Sequence, residues 1–131
     1  MKAIDFLGAS LFAVCLWAAS WTGASAQTDA PPKPKIGIAM AEFDDNFPTL
    51  LRAAMSTEAR EQGWKPVFAD GHSDQQRQNE EVASLIANDH VDAIVILPVD
   101  ATATATMTKT IRVAKVPLVY VNRKPSEPIG E

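Results

Sequence analysis

Cysteine is all but missing from this chain. The single thiol, Cys15, excludes an internal disulfide framework and any multi-cysteine zinc site. The two histidines, His72 and His90, are too few and too far apart for a metal pair on one helix. Basic residues are also in deficit: 12 Lys and Arg stand against 16 Asp and Glu, a formal net charge of −4. No basic stripe interrupts that balance, which argues against nucleic acid as a partner. Glycine is sparse, and Ile36-Gly37-Ile38 provides no G-x-G-x-x-G phosphate loop. A G-x-S-x-G nucleophile turn is lacking too. These absences point away from an enzyme. The 47% hydrophobic and 21% charged residues of the 131 fit one soluble globular domain.

One long apolar run is present, at the start. Phe6 to Trp21 is almost uninterrupted, Lys2 supplies a positive start, and Ala24-Ser25-Ala26 a small-x-small cleavage site. The run falls short of the roughly 20 residues a bilayer needs, and no positive stop-transfer cluster follows it. Residues 1–26 are therefore expected to be a cleaved export signal. Cleavage removes Cys15, and a chain without thiols suits an oxidising compartment. Residues 27–34 (QTDAPPKP) read as a Pro-rich leader, and the folded part is expected over 35–131.

Strand and helix patterns alternate from there. Lys35–Met40 reads as a strand, and Asp44-Asp45-Asn46 offers caps for a helix with Pro48 in its first turn. Phe47, Leu50, Leu51, Ala54 and Met55 follow at helical spacing, and Gly63 stops the helix. Lys65–Ala69 is a second strand, Asp70–Ser73 a turn, and Asp74–Asn88 a polar helix that buries Val82, Leu85 and Ile86. Val91–Leu97 is apolar enough for a strand buried on both faces. Asp100 is expected to cap a helix over Ala101–Ala114, and Val116–Val121 is a fourth strand. The order β-α-β-α-β-α-β implies an α/β fold with an open, Rossmann-like parallel sheet. Only nine residues (RKPSEPIGE) follow Asn122. No fourth helix covers the last strand, so the chain is expected to be cut short.

In such a sheet, ligands bind beyond the carboxyl ends of the strands. Those ends carry Ala41–Phe47, Asp70–Ser73, Pro98–Asp100 and Asn122–Lys124. Asp44-Asp45-Asn46-Phe47 combines acceptors for hydroxyls with an aromatic face for the carbon side of a sugar ring. The same residues also suit a helix cap and a core aromatic. The Asn122 amide donates and accepts toward a hydroxyl, or serves a turn. His72 and His90 read as solvated or structural, and Trp64 as a packing residue. Asp44-Asp45 with Asp100 also fits a phosphoacceptor receiver domain, against which the export signal argues.

KIGIAMAEFDDNFPTLLRAAM, VDAIVILPVDATAT and VPLVYVNRKPS together resemble the amino-terminal lobe of type I periplasmic sugar-binding proteins, of the galactose/glucose- or ribose-binding kind. The D-D-N-F and N-x-x-P-S elements are the specific part, and the likeness covers residues 35–131. It implies that Asp45 binds sugar hydroxyls, Phe47 stacks on the ring and Asn122 bonds a further hydroxyl. It also implies a periplasmic location, an ABC permease of the inner membrane as partner, and capture of a monosaccharide such as galactose or glucose between two lobes. The alternative within this likeness is an exported sensor or chemoreceptor partner uncoupled from transport. No cofactor is expected in this chain; relatives of the galactose/glucose type bind calcium in a second lobe. Ala41 and Glu42 stand where some relatives carry an aromatic or basic residue, which leaves the hexose open.

Overall fold

The computed structural model describes residues 31–129. The expected signal peptide, and the leader as far as Ala30, lie outside the described residues. The elements alternate as β1 (Lys35–Met40), α1 (Asn46–Glu61), β2 (Lys65–Asp70), α2 (Gln75–Ala87), β3 (Ala93–Ile96), α3 (Ala105–Val113) and β4 (Leu118–Tyr120). All pairings are parallel, in the order β2-β1-β3-β4. Among the described residues no helix is long and apolar enough to cross a membrane.

Local chemistry sets most of the boundaries. Asp45 is the N-cap of α1, with extended backbone, and its Oδ1 accepts from the Asn46 amide at 2.7 Å. Pro48 follows in the first turn, where its missing N–H costs no helical bond. Gly63 takes φ +72° just past the helix, and Trp64 N–H returns to Ala59 C=O at 2.7 Å. Asp74 caps α2 in the same manner, accepting from the Arg77 amide at 2.9 Å.

Three elements are shorter than expected. Val91 is buried but precedes β3, because its N–H turns back to Leu85 C=O. Pro117 has no N–H for the ladder, so β4 opens only at Leu118. Asp100 does not cap α3. Its Oδ1 accepts from Thr102 N–H and Oγ1, both at 2.7 Å, and the helix starts later, behind Thr104, which makes no side-chain cap bond. A Thr-rich start with a competing local hydroxyl bond favours this turn over helix.

The core lies on both sides of the sheet, unequally. One side packs Ala39, Ala69, Ile94 and Ile96 under Val82 and Leu85 of α2 and Met107 and Ile111 of α3. The other buries Ile38, Met40, Ala41 and Leu97, with Leu51 and Met55 of α1 against them. There Val95 is only half-buried, so β3 is not equally buried on both faces as its composition implied. The expected stripe of α1 is corrected as well: Leu50 is 70% and Phe47 49% exposed, and Ala54 is exposed, because a single helix crosses this side. Trp64 is 41% exposed and packs only partly, beside Ile36, Met55 and Ala59.

Candidate functional site

The carboxyl ends of the strands form a rim whose loops are tied to one another. Gly71 N–H donates to Met40 C=O at 2.8 Å and Ser73 N–H to Ala41 C=O at 2.7 Å, joining the loops after β2 and β1. A Cβ at Gly71 would stand 3.0 Å from the Met40 oxygen, so this approach requires glycine. The Ser73 hydroxyl adds a 2.7 Å bond to Glu42 Oε2. Phe43 turns inward, its ring facing the Arg52 guanidinium at 4.3 Å, and Thr49 Oγ1 holds its carbonyl at 2.9 Å.

Phe43 therefore takes the place against the core, and Phe47 stays half-exposed at the start of α1. Asp45 beside it is exposed, with only Oδ1 engaged among the described residues. The cap and the exposed acceptor are thus one carboxylate, whose Oδ2 has no hydrogen-bond partner among the described residues. Asn122 follows β4 with φ +65°, exposed, its amide without a hydrogen-bond partner among the described residues. The left-handed backbone gives Asn122 the turn role, and the open amide leaves it the binding role as well. One strand, β3, separates β1 from β4. At the usual strand spacing the two strand ends stand roughly 10 Å apart. Asp45 and Phe47 thus stand beyond the end of β1 and Asn122 beyond the end of β4.

Sequence reasoning missed the residues that build the rim between them. Gln78 of α2 is fully buried; its Nε2 donates to Leu97 C=O at 2.9 Å and its Oε1 accepts from Val99 N–H at 3.0 Å. Gln75 Oε1 accepts from Asp100 N–H at 3.0 Å. From the other side, Arg123 Nη1 donates to Pro98 C=O at 3.1 Å and Val99 C=O at 2.6 Å. A signal for Gln78 did exist: it sits four and seven residues before Val82 and Leu85, a polar side chain on an apolar stripe.

The remaining polar groups add little chemistry. The Thr102 hydroxyl and amide, and more weakly Arg123, hold the Asp100 carboxyl below its ordinary value. His72 and His90 are both exposed, with left-handed backbones at φ 48° and 52°; His72 Nε2 lies 3.5 Å from Asp70 Oδ2. Among the described residues no group of three or more His, Cys, Asp or Glu is placed to hold a metal ion. The rim is an open shelf: Asp45, Phe47 and Asn122 line none of the hollows on α3, beside the start of α2 and under α1.

Side-chain acceptors, an aromatic and a free amide around the carboxyl rim of an open parallel α/β sheet place this chain in the broad class of α/β domains whose ligands, where they bind one, sit at that rim. The strand order β2-β1-β3-β4 also occurs in flavodoxin-like proteins, so topology alone does not choose among such domains. Comparison with known proteins does. Residues 36–129 match the periplasmic binding protein domain family, and the chain belongs to that family. A Rhizobium meliloti protein named for rhizopine binding is 44% identical over 91 residues, 69% of this chain and 29% of the relative. The D-galactose/methyl-galactoside binding periplasmic protein of Haemophilus influenzae is 32% identical over 126 residues, 95% of this chain and 36% of its own. The crystal structure of an ABC transporter solute binding protein from Mycobacterium smegmatis with bound glycerol superposes with a TM-score of 0.69 at 29% identity, over 73% of this chain and 33% of that one. The chain thus spans about a third of the length of these relatives. The family carries with it a periplasmic location.

Proposed function

We propose that the chain acts in the solute-binding component of an ABC-type sugar importer, exported by residues 1–26, and that its rim binds one side of a monosaccharide or related polyol. In this reading Asp45 accepts from ring hydroxyls, Phe47 lies against the carbon face and Asn122 bonds a hydroxyl from across β3. The observation that carries the reading is the half-exposed Phe47 next to the exposed Asp45 carboxylate, while Phe43 is the aromatic of this loop that packs against the core. A spacing of roughly 10 Å between the strand ends leaves room for one ring with hydrogen bonds on either side. The names of the relatives support a hydroxyl-rich ligand: one is called a galactose-binding protein, and another holds glycerol. The rim supplies acceptors and an amide but no activated nucleophile, so it suits capture rather than catalysis. Capture needs a second surface over the open shelf, and delivery needs a membrane permease; both are part of the proposal.

The test is a titration of the 131-residue chain with D-galactose, D-glucose, D-ribose and myo-inositol, followed by amide resonances, which detect weak binding. At least one probe is expected to shift the Asp45, Phe47 and Asn122 signals saturably. Asp45→Asn keeps a good helix cap while removing the charge. It is expected to weaken binding at least about tenfold, the scale of a charge-assisted bond. Phe47→Ala is expected to cost less. Shifts confined to other surfaces, or none with any probe, would reject the site.

A further inference from the structure

We propose that Gln78, seconded by Gln75, is a positioning residue of the rim: it sets the Leu97–Asp100 loop and, through Arg123 on that loop, the placement of Asn122. This rests on the rim being the binding surface and deepens that reading.

The loop's own chemistry demands such a partner. Pro98 has no N–H, and the turn leaves Leu97 C=O and Val99 N–H without strand partners. One is an acceptor and the other a donor, so the group that satisfies both must donate and accept while uncharged. A primary amide does this, whereas a carboxylate only accepts and an alkyl chain does neither. With Gln78 fully buried, water does not stand in for it. Gln75 takes the next donor along, Asp100 N–H. Arg123 takes the two remaining carbonyls, of Pro98 and Val99. Every backbone polar group from Leu97 C=O to Asp100 N–H is therefore held by a side chain. These bonds tie the loop to α2 on one side and to the segment after β4 on the other.

Asn122 inherits this fixity. It precedes Arg123, whose amide closes a tight turn to Val121 C=O at 2.7 Å with Asn122 at φ +65°. The turn is thus pinned by Val121 on the strand side and by the Arg123 fork on the loop side. Holding a recognition group in place before the ligand arrives removes an ordering cost from binding.

The experiment compares amide spectra of the full chain with those of Gln78→Met, which keeps the volume but neither bond, and of Gln75→Met, a milder change that serves if the first fails to fold. Without ligand, the positioning role predicts faster hydrogen exchange at Val99 in Gln78→Met and at Asp100 in Gln75→Met, by about tenfold for one lost bond. It also predicts displaced Asn122 and Arg123 signals while those of Asp45 and Phe47 stay in place. Asn122 signals unmoved in every folded variant would overturn it. If none of the four sugars binds the parent chain, the functional reading fails, and the Asn122 signature still decides the positioning role. If one binds, its affinity is expected to fall about tenfold in Gln78→Met and less in Gln75→Met; unchanged affinity with displaced Asn122 would overturn the link to binding.

Discussion

The two faces of the sheet are built from similar apolar strands and end up differently. Beneath α2 and α3, Ile94, Ile96, Met107, Ile111 and Val82 are fully buried and form one continuous cluster. Beneath α1, the neighbouring residues Ile36, Val95, Phe68 and Val121 are only partly covered, and Val119 on β4 is 55% exposed. One helix reaches across β2 and β1; two are needed to cover four strands. Burial on this sheet is thus decided by how many helices lie over a strand and not by how apolar the strand is.

Substitutions in the two faces should separate them. Ile96→Ala, on the two-helix side, is expected to cost about 3–4 kcal/mol in urea unfolding of the full chain, while Val119→Ala on the other side stays within about 0.5 kcal/mol. Equal costs would break the comparison. An intermediate effect belongs to Trp64→Ala. Its ring closes a hollow of about 110 Å³ with Ile36, Ile38, Met55, Ala59 and Val95, and its 41% exposure limits the loss to about 1–2 kcal/mol.

A pH-dependent effect sharpens the two-helix side. Burial pushes the Tyr120 phenol above its ordinary value, against the lowering effect of its bond to Thr108, 2.8 Å from hydroxyl to hydroxyl. The folded state therefore holds this proton more tightly than the unfolded chain. The resulting stability is complete below the ordinary tyrosine range, about pH 10, and is lost as pH rises through the folded-state value. Tyr120→Phe is expected to remove this alkaline fall-off at a cost of about 1 kcal/mol near neutrality, read from urea midpoints across pH. A fall-off that persists in Tyr120→Phe would assign it to other groups.

Much of this was legible along the chain because it depends on neighbours a few residues apart. The cap at Asp45, the start of α2 near Asp74 and the stop at Gly63 follow from local backbone chemistry. The strand–helix alternation follows from periodicity, and the rim from the rule that parallel strands end on one side. Asp45, Phe47 and Asn122 were placed on that rim by sequence, each with a structural alternative beside it. The structure leaves Phe47 49% exposed while Phe43 packs against the core.

What stayed hidden depended on partners far along the chain. The pairing of Gln78 with Leu97 and Val99 spans about twenty residues, and Arg123 reaches back as far to the same loop. The late starts of β3 and α3 came from competing bonds at Val91 and Thr102 that periodicity does not register. Sequence by itself determined which segments are strands and helices and which end of the sheet carries the polar groups, because those follow from local propensity and chain direction. Tertiary structure alone decided which apolar residues are covered and which loop is held rigid, because both depend on what packs across from a residue, and that partner is set by the fold.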